Sequence, residues 1–171
     1  MSPIQLGQVT NADIYFEGNR MIGRIRDFNI GEIGYRMVTH EALGMIGVLD
    51  LPSRATEALK ATINLEYPAP ELDTRLRNPV RACQFFLHGY LDIFGPDGLD
   101  DAQSTKLISA IKCLPAKKGE QAHKLGDAGQ TTYEVSVISL IQKMANSSTP
   151  IFEYDLFNGI HRVLGKDVWP Q

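Results

Sequence analysis

With 171 residues, 43% of them hydrophobic and 22% charged, the chain has the size and composition of one folded domain spanning residues 1–171, and disorder is excluded. A net charge of −3 with mixed signs along the chain gives no basic face able to grip nucleic acid from outside. No run approaches the roughly 20 apolar residues that cross a bilayer, and the opening MSPIQLGQVTNAD lacks the blocks of a signal peptide, so folding in cytoplasm without membrane insertion is expected.

In chain order, DIYFEG, Asp13 to Gly18, sets Ile14 and Phe16 against Asp13, Tyr15 and Glu17, the alternation of a half-buried strand closed by Gly18-Asn19. Residues 21–33 supply its expected partner, giving an N-terminal hairpin. From Gly34 to Ala55 the periodicity fails, yet the stretch carries Met37, Leu43, Met45, Ile46, Val48 and Leu49. So long an apolar loop reads as an extended hairpin, or arm, that docks on a neighbouring molecule.

Thr56 to Tyr67 alternates again, with Leu59, Ala61, Ile63 and Leu65 on one face and Lys60, Thr62, Asn64 and Glu66 on the other. PELDTRLRNPVRA opens on Pro70, carries Glu71 and Asp73 early and Arg75 and Arg77 late, and predicts a short helix ending before Pro79. CQFFLHGYLDIF, the turn GPDGLDD and STKLISAIKCL read as two strands and their connection. KKGEQAHKLGDAGQ is a polar connection, TTYEVSVISLIQKM a long β-branched strand, and IFEYDLF the last clear strand.

Turns join most of these strands and no regular βαβ alternation appears, so the expected fold is mainly β, an antiparallel barrel or sandwich with one short helix and a long arm. Several strands are apolar on both faces, which suggests that the second face meets another subunit.

The residues offer little chemistry. His40, His88, His123 and His161 are scattered without a partner at ligand spacing, and Asp97, Asp100 and Asp101 lack the calcium-loop pattern. Cys83 and Cys113 fall in strand-like runs and are expected to be small buried thiols. No serine elbow is present, and Glu153 with Asp155 on one strand face is as readily a polar rim as an acid–base pair. NGIHRVLGKD, Asn158 to Asp167, has five residues between Gly159 and Gly165 and an aspartate after Lys166, where a phosphate loop needs four and a hydroxyl. Turns are expected there, and no catalytic residue, cofactor or metal.

Taken end to end, the chain resembles the major tail tube proteins of contractile-tailed bacteriophages, which include R-type bacteriocin tube proteins. The resemblance runs through NADIYFEGNRMIG, Asn11 to Gly23, the Tyr35-Arg36 step, ALGMIGVLDLP, Ala42 to Pro52, and EALKATINLE. Its most specific piece is FEYDLFNGIHRVLGKD, Phe152 to Asp167. Two departures stand out: Gly31 where a proline is common, and a chain ending Trp169-Pro170-Gln171 where many relatives run on with a basic tail.

The resemblance implies subunits that close into hexameric rings around a lumen and stack into a tube inside a contractile sheath. Its partners would be other copies of itself, the sheath protein, baseplate and terminator proteins, the tape measure protein and non-specific DNA in the lumen. The place would be the virion tail, assembled in the host cytoplasm; the alternative is a bacteriocin or bacterial injection-system tube. A small-ligand-binding barrel, a stable monomer, is the reading from another class. Within the tube reading, Tyr35, Met37, Leu43, Met45, Ile46 and Val48 form the inter-ring arm, and Lys60, Thr62, Asn64 and Glu66 are lumen-facing candidates.

Overall fold

A computed structural model describes residues 5–21, 23–44, 46–119 and 129–169. Its strands are β1 (Leu6–Phe16), β2 (Asn19–Arg20), β3 (Ile25–Ile30), β4 (Tyr35–His40), β5 (Leu49–Thr56), β6 (Lys60–Leu65), β7 (Cys83–Gly95), β8 (Gly98–Leu99), β9 (Thr105–Lys118), β10 (Thr131–Met144), β11 (Phe152–Asp155), β12 (Ile160–Val163) and β13 (Lys166–Asp167). The single helix among the described residues, α1, runs Pro70–Leu76. All strand pairings are antiparallel, and the main sheet follows the path β13-β12-β11-β10-β9-β7-β1-β2.

β10 organises the sheet. One of its edges pairs along most of its length with β9, while the other is divided: Thr131 to Ser136 pair with β6, and Ser139 to Gln142 with β11. A register shift between Val137 and Ser139 marks the division, as expected where a bulge bends a strand. The first half therefore closes the main body, and the second carries the β11–β12–β13 extension outward. β3 adds to the free edge of β6.

The apolar face of this curved sheet holds the core. Ile63 and Leu65 of β6, Phe85 of β7, Ile111 of β9, and Tyr133 and Val135 of β10 are all but sealed from solvent. Phe16 and Phe28 pack against Phe85 at ring-centroid distances of 4.9 and 5.2 Å, so β1 and β3 lie over one aromatic cluster although they do not pair. Each such contact adds about 0.5–1.5 kcal/mol beyond area burial. An open cleft of about 540 Å³ lies where the wall stays unclosed, lined by Asp13 and Ile14 on one side and Ile25 and Phe28 on the other.

The helix matches the sequence reading: Pro70 stands at its start, and Leu72 and Leu76, one turn apart, fill the core. Seven residues are too few to stand alone, so the apolar face, more than propensity, holds it. Its polar side is tied down by Arg24–Glu71, Arg75–Glu17 and Lys118–Asp73, solvent-screened pairs that add little beside the buried apolar face.

The expected N-terminal hairpin is corrected. β1 pairs with β2 only through Tyr15 and Phe16, and its long partner is β7, from Leu6↔Phe94 to Phe16↔Phe85. β3 belongs to β6 instead. The turn falls at Glu17-Gly18, one residue before the expected Gly18-Asn19, since Asn19 already belongs to β2, and the chain leaves the hairpin after two residues, because Phe28 finds its apolar partner across the core in Phe85. Local turn chemistry gave the pairing's start and could not show its end.

Gly31, the departure from the usual proline, follows the last residue of β3. Its N–H donates to the Lys60 carbonyl at 2.7 Å, a bond no proline could make, and a Cβ there would stand 2.6 Å from that same oxygen. Gly31→Ala is therefore expected to lower stability by about 1–3 kcal/mol, as overpacking against backbone does, measured by urea denaturation with an unchanged m-value.

Cys83 and Cys113 face each other across the β7–β9 ladder, both buried and free. Burial pushes the Cys113 thiol up to about 12 and raises Cys83 as well, so both are inert small hydrophobes at neutral pH.

Candidate functional site

The surfaces that stand out are an uncovered hairpin and a polar sheet face. The apolar stretch that defied periodicity folds as the β4–β5 hairpin, a two-stranded sheet of its own, with no strand pairing to the main sheet. Its side chains project into solvent: Leu43 and Ile46 at the tip are 107% and 108% exposed, and Met37 and Val48 are more than half exposed. Met45 lies outside the described residues. Leu49, and Val38 and Leu51, which the sequence reading did not single out, extend the exposed apolar set. A patch of this kind marks an interaction site more often than a monomer's surface.

Tyr35 sits apart from the others. It is half-buried at the hairpin's root, stacked on His161 of β12 at 5.6 Å and 18°, with its hydroxyl 3.1 Å from His161 Nε2. Across the hairpin, Thr56 is in register with Tyr35, and its hydroxyl lies 3.2 Å from that of Tyr154 on β11. Phe152, Tyr154 and Trp169 set their edges against His161 or Tyr35. Burial in this aromatic nest holds the His161 imidazole below its ordinary range, hence neutral at pH 7. Sequence reading missed this root, since Tyr35 and His161 are 126 residues apart.

The lumen candidates do share one face. Lys60, Thr62, Asn64 and Glu66 alternate with the buried Ala61, Ile63 and Leu65, and β6 lies between β3 and β10. The face is wider than the sequence suggested. Asn29, Thr62, Glu134 and Lys117 form one row across four strands by direct register, and Asp27, Asn64 and Thr132 form the next. Asn64 donates to Asp27 Oδ1 at 2.6 Å and accepts from Thr132 at 2.6 Å, so the second row is a bonded ladder. The acidic Asp27, Glu66 and Glu134 thus alternate with Lys60 and Lys117, a mixed surface without a basic concentration. The alternation of TTYEVSV could have flagged Thr132 and Glu134; only the register places them beside Thr62 and Asn64.

The suspected chemical groups are engaged structurally. Asp155 accepts from the N–H groups of Phe157 and Asn158 and from Asn158 Nδ2, and those bonds hold its carboxyl below the usual carboxylate range. Leu164 and Gly165, at φ of 51° and 74°, form a two-residue turn between β12 and β13, and Arg162 pairs with Asp167 and Glu153. Lys166 and Asp167 lie in β13 rather than in the turn itself. His123 is outside the described residues, and among the described residues no group of three or more His, Cys, Asp or Glu could hold a metal. Leu156, Phe157 and Leu164 form a second exposed apolar set on the extension.

No curated protein sequence matches the chain significantly. Among solved structures, it is similar to the sheath/tube terminator of PVC, an extracellular contractile injection system, in its extended state, at a TM-score of 0.57 and 11% identity over 84% of this chain and 98% of that one. It is also similar to a chain of the PVC sheath-tube complex, at a TM-score of 0.55 and 9% identity over 81% and 91% of the two chains. At such identities the likeness establishes a shared fold, antiparallel and mainly β. The sequence goes further: the family model for phage tail tube protein FII matches residues 7–171, and the chain belongs to that family.

Proposed function

We propose that this subunit, a structural component of a contractile phage tail tube by family, closes into six-membered rings whose strands join into one barrel, and that the rings stack through the β4–β5 arm. The tube then conducts DNA into the host cell. The observation that carries this reading is the arm itself, an apolar hairpin that its own subunit leaves uncovered. The outer edge of β1 supports ring closure. From Leu6 to Asp13, ahead of the Ile14 carbonyl that accepts from the Met21 N–H, no strand lies beside it among the described residues, and that segment contains no Lys, Arg or Pro to blunt it. An edge left open in this way is a hazard in a monomer and an asset in a ring.

In this reading the polar face around β6 lines the lumen, and no catalytic residue or cofactor is required, because the work is mechanical. The sheath protein surrounds the tube, terminator and baseplate proteins meet its ends, and the tape measure protein and DNA occupy the lumen in turn. Assembly takes place in the host cytoplasm. The tube of a phage-derived bacteriocin or of a bacterial injection system is the second reading, with which the fold shared with the PVC chains is equally compatible.

Electron microscopy of the purified protein tests both. Open-centred rings and tubes are expected as concentration rises, and a species that stays monomeric under all conditions sinks both. Particles purified from producing cells separate them: DNA-filled heads on the tails support the phage reading, and headless tubes the other.

A further inference from the structure

The arm is joined to the body by the two chain segments at its root and by side chains alone, since no backbone ladder links β4 or β5 to the main sheet among the described residues. A hairpin so attached can swing about its root unless something fixes its direction. Two hydrogen bonds do so crosswise. Tyr35 and Thr56, opposite each other at the base of the hairpin, bond to His161 and Tyr154, which are themselves opposite each other in the β11–β12 ladder. Two points of attachment on two rigid pairs remove the rotation that one would leave.

The surroundings make the attachment stiff. Tyr35 is held between the stacked His161 ring and the edge of Trp169, the latter at 6.4 Å and 81°. The Glu57 N–H donates to the Gly34 carbonyl at 2.8 Å, one residue outside the Tyr35–Thr56 pair, closing the root. β11 and β12 in turn hang on the second half of β10, the strand whose first half pairs with the proposed lumen strand β6. Arm and lumen face are thus tied to one long strand.

We propose that Tyr35 with His161 and Thr56 with Tyr154 form a clamp that sets the angle of the arm against the ring, and so positions its tip for the next ring. This rests on the arm reading. The four are positioning residues; the contact with the neighbour is made by the tip. The clamp works by prior ordering: an arm already aimed loses less conformational freedom when it docks, so stacking is faster and its geometry uniform.

The test uses the full chain with Tyr35→Phe and Thr56→Val combined, which removes both hydroxyls and keeps ring stacking and shape. The far-UV circular dichroism should match the parent, while amide hydrogen exchange in residues 35–40 and 49–56 accelerates relative to the body. Trp169, the chain's sole tryptophan, reports the root by its fluorescence, and its emission should shift. Elongation of tubes should slow at least tenfold, with about 1.4 kcal/mol corresponding to each factor of ten. Thr56→Ser, which retains the hydroxyl, should behave as the parent, an outcome that a role in general stability would not single out.

The comparison with tip variants separates this proposal from the arm reading. If Leu43→Asp with Ile46→Asp blocks stacking and the clamp variant elongates at the parent rate, the clamp is refuted and the arm stands. If the clamp variant leaves exchange in the arm unchanged, the clamp is refuted regardless of stacking. If the tip variant stacks normally, the arm reading fails and takes the clamp's proposed purpose with it.

Discussion

Leu43→Asp combined with Ile46→Asp is expected to leave the subunit folded and to abolish the stacking of rings. Both side chains protrude fully, at 107% and 108% exposure, so neither contributes to the core of its own subunit. Charged replacements at such positions ordinarily change stability by no more than about 0.5 kcal/mol. Docked against a neighbour, the same residues would each bury most of an aliphatic side chain, which is worth about 1.5–3 kcal/mol, and a buried unpaired carboxylate reverses that gain at a further cost. The effect repeats at every subunit around the interface, so a modest change per arm becomes a complete loss for a ring. The melting temperature, circular dichroism and ring formation should be those of the parent, with electron micrographs showing isolated rings in place of tubes. Tubes of normal length from this variant would remove the arm from the ring-to-ring contact.

The same hairpin shows what the sequence could and could not convey. Its apolar residues without period were readable as a segment with no place in its own core, since neither a strand nor a helix pattern buries them. That Tyr35 belongs to the root, and Met37, Leu43, Ile46 and Val48 to the exposed part, was not readable: it depends on His161, a lone histidine in a run whose visible feature was a pair of glycines. The alternating faces of β6 were plain because the period of a strand writes burial directly into sequence. The neighbours of that strand were hidden, because a local turn signal points β3 toward β1 while the aromatic contact between Phe28 and Phe85 carries it across the core. Local chemistry fixes turns and faces; pairings between distant strands are decided by packing that only the folded chain contains. The Asn158-Gly159 signature shows the converse, since Asp155 caps its turn from three residues away and the signal was entirely local.

Glu134→Lys is expected to turn a tube that lets DNA pass into one that holds it. Glu134 lies exposed on the polar face, directly opposite Thr62 on one side and Lys117 on the other. In the parent the row is balanced, so a duplex sliding past it in the proposed lumen would meet no stable cluster of cations. The substitution sets two lysines side by side, and in the proposed tube ring symmetry would repeat the pair around the lumen and again at every ring. The local cost to the subunit is small, since like charges opposite each other in a sheet cost about 0.2–1 kcal/mol. If this face lines the lumen, the gain for DNA would be large, because every phosphate neutralised releases a counterion, and log affinity falls with log salt at a slope of about −0.9 per phosphate. Short fluorescent duplexes should therefore remain with the variant tubes at low salt and leave steeply as salt rises, while the parent and Glu134→Gln tubes retain none. Nuclease decides where the retained DNA lies: protection places this face in the lumen. Complete digestion, together with failure of the sheath to assemble on the variant tube, would turn the face outward and overturn the lumen assignment.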